Sequence, residues 1–445
     1  MTKLLVLQEL KKNYMNQPNK TQLQFTRVAK LLGCGKAIAL ILLAAACQNN
    51  ASSGSGLKIG TLLPITGDLA QFGTSMQDSA NLLVKRVNEC SGVLGQPVQL
   101  ISENDQTNPA AGAAAMTKLA EVDRVGGVVG AAGTSVSSAA VDIAVRNQVV
   151  QISPSTTGPI FTERAKKGDF QGFWFRTAPP DNFQGQALAK LAQARGFKTV
   201  SVLALNNDYG RGLVNAFTSA FTSLGGKVLN QAKPTYYPPD ASSFESEVAA
   251  AFRGNPDAVL LVAYPETGSL ILKAAYQQGL LGKKTQVMLT DGMKDLKIAQ
   301  LVGKNSQGAY ITTGMIGTAA SAGGVALKQF NDRYKTAYNS QPVVYSPNTW
   351  DAAAVLVLAA EAAKSTSGRT IKDKIREVAN PPGQKVSDVC QALSLIRQGK
   401  KIDYQGASGN LDFDSQGDVM GNYDIWTIDK NGQLKVVSTI SVRGS

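Results

Sequence analysis

The sequence predicts an α/β protein built from two doubly wound lobes, each around a parallel sheet. Three observations carry that reading. Short apolar runs alternate with helical stretches from Leu57 onward. The alternation comes in two series, separated by Ala178-Pro179-Pro180. The residues that follow the apolar runs are small, hydroxyl-bearing or acidic.

The first series opens with Lys58-Ile59-Gly60-Thr61-Leu62-Leu63 as a strand, followed by a helix from about Ser75 to Asn88. Val98–Ser102 reads as a strand and the alanine-rich stretch 110–121 as a helix. Val125–Val129, a helix over 137–146 and a strand at Val149–Ile152 complete it. In the second series a helix spans about 183–194, and Val200-Ser201-Val202-Leu203-Ala204 is a strand. Helices follow at 211–224 and 244–252, then the wholly apolar strand Ala258–Val262 and a helix over 268–278. Residues 325–397 read as mostly helical, with Ala352–Ala360 a buried helix segment. Leu411–Val442 reads as strand-rich, with turns at Asp414-Ser415-Gln416-Gly417 and Lys430-Asn431-Gly432.

The chain ahead of Leu57 follows a different logic. An apolar segment, Ala37–Ala46, lies behind Arg27, Lys30 and Lys36 and is too short to span a bilayer. It reads as a signal h-region, and Gln48–Gly56 as a flexible tether. Ala44-Ala45-Ala46-Cys47 resembles a bacterial lipobox, although Leu43 stands four places before the cysteine where the pattern has leucine at three. Ordinary signal cleavage after the alanines is the alternative to lipidation of Cys47, and Met15 is an alternative start. Seven of the 45 Lys+Arg and one of the 32 acidic residues precede Cys47. That leaves +7 of the formal +13 spread over the rest, with no basic stripe interleaved with aromatics, so no nucleic-acid partner is expected.

There is no histidine, which excludes Ser-His-Asp triads, Cys-His pairs and histidine-bound zinc. The glycines of Gly127–Gly133 lack the dinucleotide-binding spacing, and no nucleophile elbow or P-loop occurs. Asp412 and Asp414 carry a spacing that fits a strand and turn rather than a catalytic pair. No enzyme activity, cofactor or metal is expected. Cys34 falls in the presequence, and Cys90 and Cys390 remain. In an oxidising compartment they are expected to pair, the alternative being two separate buried thiols.

In open α/β sheets ligands bind beyond the carboxyl ends of strands. In the first series those positions hold Gly130-Ala131-Ala132-Gly133-Thr134-Ser135 and Ser153-Pro154-Ser155-Thr156-Thr157, which offer hydroxyls and backbone N–H groups to an anion. In the second they hold Asn207-Asp208-Tyr209-Gly210, Tyr264-Pro265-Glu266 and Thr290-Asp291-Gly292, which offer acceptors and rings. A zwitterion fits that division. Taken singly, Thr134, Ser135 and Thr157 read more readily as helix caps and Asp291 as a turn residue. Five strand ends of complementary chemistry argue for a site.

Several stretches, in this order, resemble the branched-chain amino-acid binding proteins, periplasmic receptors of ABC importers. They are Leu63-Pro64-Ile65-Thr66-Gly67, Gly92-Val93-Leu94-Gly95, Ile152–Thr157, Phe175-Arg176, Asp181-Asn182-Phe183-Gln184-Gly185, Asn207–Gly210, Pro256-Asp257-Ala258-Val259 and Asp412-Phe413-Asp414 with Gly417-Asp418. The resemblance covers Lys58 to beyond Trp426. It implies a type I periplasmic binding protein fold, two lobes joined by three hinge crossings. Lobe 1 would take residues 57–178 and 314–402, and lobe 2 residues 179–313 and 403–445. It further implies a carboxylate grip by Thr134, Ser155 and Thr157 and an ammonium acceptor at Asp291, where the family has glutamate. Asp181 would lie at the first crossing, Tyr209 and Tyr264 would be the second lobe's aromatics, Phe72 the entry aromatic and Tyr345 a wall of the side-chain pocket. The implied ligand is a small branched-chain or neutral amino acid; urea, a short amide or an aromatic acid are the alternatives within the fold, and sensing is the alternative to transport. The implied partners are two permease subunits and their ATPases, with the protein a monomer, extracytoplasmic and lipid-anchored.

Overall fold

The structure is a computed structural model that describes residues 56–442 apart from Lys283. The signal-like segment, the candidate lipidation site Cys47 and most of the tether therefore lie outside the described residues. The described residues form fifteen strands in chain order: β1 (Lys58–Leu63), β2 (Gln99–Asn104), β3 (Gly127–Gly130), β4 (Val150–Ser153), β5 (Trp174–Arg176), β6 (Thr199–Leu205), β7 (Lys227–Val228), β8 (Thr235–Tyr237), β9 (Ala258–Val262), β10 (Gln286–Leu289), β11 (Ile316–Ala320), β12 (Gln384–Val386), β13 (Ile402–Tyr404), β14 (Tyr423–Ile428) and β15 (Leu434–Ile440).

The first sheet runs β2-β1-β3-β4-β5, all parallel. The second runs β15-β14-β11-β10-β9-β6-β7, with β8 also on β6. From β6 to β11 it is parallel, and it repeats the first sheet's order from its own first strand. β14 and β15 extend it antiparallel. Each sheet thus has one point where the winding reverses, between β1 and β3 and between β6 and β9. A crevice opens at such a point.

Helices cover both sheets, and the fully apolar strands follow from burial on both faces. Helix Ser346–Ala363 is buried along 16 of its 18 residues and fills the first lobe's core. Within it, Asp351 accepts from the Ala407 N–H, the Ser408 N–H and the Ser408 hydroxyl at 2.5–2.9 Å. Cys90, at the C-terminal end of helix Ala70–Glu89, is bonded to Cys390 in helix Val389–Arg397, 300 residues away in sequence. Among the described residues no helix is long and apolar enough to cross a membrane.

Three differences from the sequence expectations matter. First, β11 belongs to the second sheet, so the second crossing follows Ala320 rather than residue 313. Second, Leu411, Phe413 and Val419 pack in the first lobe's core, so the last crossing falls near residues 419–422 rather than at 403. Residues 411–422 hold no strand because their apolar side chains dock singly between turns. Third, helices at the strand ends begin earlier than their apolar periodicity, at Ala70, Thr134, Asp181, Asp208 and Pro265. The early turns carry polar residues and so lack the periodic signal. The short strands β5, β7, β8, β12 and β13 have no alternation to announce them.

Asp105 follows β2, is fully buried, and has one carboxylate oxygen without a partner among the described residues. Burial pushes its pKa up to about 6. The folded chain therefore keeps a proton that the unfolded chain loses near pH 4, and stability falls as pH rises from about 4 to 6, by up to about 3 kcal/mol from this group. Asp105→Asn keeps an acceptor for the Thr107 N–H. It is expected to flatten that part of the pH profile, as read by urea denaturation at pH 4.5 and 7.

Candidate functional site

The two winding reversals face each other across a cleft. Its cavity holds about 370 Å³ of empty space, part of it open to solvent. Eight of the nine residues expected to bind ligand line it: Phe72, Thr134, Ser155, Thr157, Tyr209, Tyr264, Asp291 and Tyr345. Asp181 is the exception and is fully buried.

The first lobe's wall is a donor surface. Helix Thr134–Arg146 starts behind Gly133, which has no side chain to cap it, and Gly133 and Thr134 both line the cavity, so the positive end of the helix dipole lies at this wall. The Thr134 hydroxyl oxygen accepts from the Gly158 N–H at 3.3 Å, which leaves its hydrogen free. A Cβ on Gly158 would sit 2.4 Å from the Thr134 methyl, so this approach of loop to helix needs glycine. Ser155 differs from expectation: its hydroxyl donates to the Ala132 carbonyl at 3.1 Å. That hydrogen is committed to joining the two loops, so Ser155 lines the cavity without a free hydroxyl donor. The Ala131 carbonyl accepts from Ser153, Ser137 and Thr156 hydroxyls, which locks the loops after β3 and β4 together.

The second lobe's wall is an acceptor surface. Asp291 begins a single 3-10 turn after β10. Its two oxygens accept from the Tyr209 and Tyr345 hydroxyls, each at 2.8 Å. Burial raises its pKa above the ordinary carboxylate range, and the two tyrosine hydrogen bonds oppose this. Tyr209 and Tyr264 stack with centroids 5.6 Å apart and planes 12° apart. Asp181 lies in the first turn of helix Asp181–Ala194, with neither carboxylate oxygen hydrogen-bonded among the described residues. Burial, then the charge of Asp291, holds its pKa well above normal. The Arg176 charge offsets part of the rise at Asp181, whereas Asp291, which lines the cavity, is held by hydroxyls and is the acid placed to meet a cation.

The lobes also touch each other directly. Tyr345 precedes the first lobe's helix Ser346–Ala363 with φ 68°, an uncommon conformation for an aromatic residue, and reaches Asp291 of the second. The Ser135 hydroxyl accepts from the Asp208 N–H at 3.0 Å, so a first-lobe side chain caps a second-lobe helix. A Cβ on Gly212 would come 2.8 Å from Pro159 across the cleft. The form is closed. Sequence reasoning missed Leu69 and Met76 in the cavity wall. Met76 stands four residues after Phe72 on one helix, a spacing that places both on the same face.

The model for the receptor family ligand binding region matches residues 75–431. This chain belongs to that family. The family is one of ligand-binding receptors rather than of catalysts. The receptor chain is 26% identical over 86% of its length to a leucine-binding protein, LivK, from Thermotoga maritima, covering 99% of that structure with a TM-score of 0.72. It is 27% identical to Leu/Ile/Val-binding protein homolog 1 of Brucella abortus, covering 76% of this chain and 86% of that one. It is 26% identical to BasB of Halobacterium salinarum, the substrate-binding protein of a chemotactic signal transduction system, over 81% and 84% of the two chains. The fold is that of type I periplasmic binding proteins, and the relatives bear out the resemblance to the branched-chain amino-acid binding family.

Proposed function

We infer that this receptor is the extracytoplasmic substrate-binding subunit of an ABC importer and captures a small α-amino acid with an apolar side chain. The observation that carries the reading is the division of the cavity. Free N–H groups and the Thr134 hydroxyl form one wall, and Asp291 stands on the other. Thr134, Thr157 and the helix N-terminus hold the carboxylate, Ser155 keeps their loop in place, and Asp291 holds the ammonium, with the buried charge of Asp181 acting from behind it. Leu69, Phe72, Met76 and the tyrosine rings enclose the side chain. Hydrogen bonds to charged groups contribute about 1.5–3 kcal/mol each, and burying a leucine-sized side chain about 1.5–3 kcal/mol. An aromatic acid or urea brings no cation to Asp291. The protein acts as a monomer tethered through Cys47 and delivers to membrane permease subunits driven by ATPases.

The direct test is mass spectrometry of ligand released from purified protein, followed by calorimetry with L-leucine, L-isoleucine, L-valine, benzoate and urea. Binding of benzoate or urea in preference to the amino acids overturns the reading. The likeness to BasB supports a second role, passing occupancy to a signalling partner. Capture of a receptor-transducer instead of a permease by the loaded protein would establish it.

Thr157→Val is expected to weaken L-leucine about ten- to a hundredfold, the value of one charged hydrogen bond; unchanged calorimetric affinity would move the carboxylate elsewhere. Binding is also expected to release protons. The free protein holds Asp181 and Asp291 protonated to a higher pH than usual, and an arriving ammonium favours their charged forms. Affinity therefore rises with pH between the lowered pKa values of the complex and the raised values of the free protein. Calorimetry in buffers of different ionisation enthalpy reads the release directly, and a proton count of zero through that window contradicts it.

A further inference from the structure

Arg176 ends β5, just ahead of the first crossing, and is completely buried. Its guanidinium donates to the carbonyls on either side of Thr157, to Thr156 at 3.2 Å and to Gly158 at 3.0 Å. The carbonyl of Thr157 itself accepts from the Asp181 N–H at 2.8 Å. Three consecutive carbonyls of the loop after β4 are thus drawn toward the first crossing. The N–H groups of Ser155 and Thr156 are taken by the Ser153 hydroxyl and that of Gly158 by Thr134. Among the described residues nothing accepts from the Thr157 N–H.

The other side of Arg176 faces the last crossing. Its Nε donates to Asp418 at 2.6 Å in a buried ion pair, and the Arg176 N–H donates to the Gly417 carbonyl at 2.9 Å. The Thr162 hydroxyl bridges the pair, accepting from Arg176 at 2.7 Å and donating to Asp418 at 2.6 Å. Asp418 lies directly before residues 419–422, which lead into β14. One guanidinium therefore ties together a loop of the cavity and the flanks of two of the three crossings. Its planar fork can hold these directions at once, which a lysine ammonium cannot.

We propose that Arg176 is the positioning residue of the anion-binding loop, aiming the Thr157 amide into the cavity and coupling that aim to the hinge through Asp418. The proposal rests on the loop's reading as the carboxylate grip. Its consequence is that rotation at the last crossing and the orientation of Thr157 are not independent: displacing Asp418 relaxes the loop.

The test has a ligand-free arm and a ligand arm. In ligand-free protein, Arg176→Lys and Asp418→Asn are expected to accelerate amide hydrogen exchange at Ser155–Gly158 at least tenfold. Asp351→Asn, which disturbs a different buried contact of the same lobe, should leave those amides unchanged at matched overall stability. Equal acceleration in all three variants overturns the proposal. In the ligand arm, Arg176→Lys and Asp418→Asn are each expected to weaken L-leucine at least tenfold, and the double variant less than threefold beyond the weaker single variant, because both act on the Thr157 amide through one buried pair. Additive losses overturn the coupling. Should Arg176→Lys not fold, Thr162→Val takes its place in both arms with the same outcomes, since it removes only the bridge. If the natural protein binds no amino acid, the proposed ligand class fails and the exchange arm still decides the role of Arg176.

Discussion

Asp291→Ala is expected to lower affinity for L-leucine a hundredfold or more while the ligand-free protein keeps its fold. The carboxylate is buried, and both its oxygens are already oriented by tyrosine hydroxyls from two lobes. Removing one partner of a buried charged pair costs about 2–5 kcal/mol, because the other charge is left in a dry site. Here the charge left behind is the ligand's ammonium. The free protein is affected less, since the variant removes a desolvated acid whose pKa burial already raises. Asp291→Asn separates charge from shape: it keeps an acceptor for one tyrosine and should lose most of the affinity. Calorimetry and circular dichroism on the same samples make the check. Affinity within a few-fold of the natural protein would remove Asp291 from the ammonium site.

Replacing both Cys90 and Cys390 by serine is expected to destabilise the protein by roughly 2–5 kcal/mol without changing ligand affinity. The bond closes a loop of 300 residues in sequence, and that loop contains the second lobe's parallel strands β6 to β11. Both cysteines belong to the first lobe, so the bond joins its two chain segments covalently. It also lies far from the ligand. Cys90 follows a 20-residue helix whose first turns carry Phe72 and Met76, and the helical rise puts about 27 Å between Phe72 and Cys90. Denaturant midpoints with and without reductant, beside calorimetry, test both halves. A large loss of affinity would show that the first lobe's far end controls the cleft.

The sheets and most of the cavity were legible because both follow from local signals. Apolar strands such as Ala258–Val262 announce themselves by composition, and chemistry at strand ends marks the ligand wall wherever winding reverses. What stayed hidden depends on long-range pairing. β11 joins the second sheet beside β10, and nothing within Ile316–Ala320 states that partner. Ser155 looked like a carboxylate donor because its type and position suit that role. Only the placement of the Ala132 carbonyl shows that its hydrogen is spent. Likewise Arg176 read as part of a motif, and its hold on Thr156 and Gly158 needs the third dimension.

The path of the chain between lobes also sets when each half can mature during synthesis. β1 to β5 emerge first, yet helix Ser346–Ala363, which fills the core against their sheet, and Leu411–Val419 beside it emerge only after β6 to β11. The nascent first lobe therefore keeps an uncovered sheet face until translation is nearly finished, while the inserted lobe can form most of its sheet earlier. A polypeptide organised this way completes the half it begins first only when residues 346–419 reach the waiting sheet.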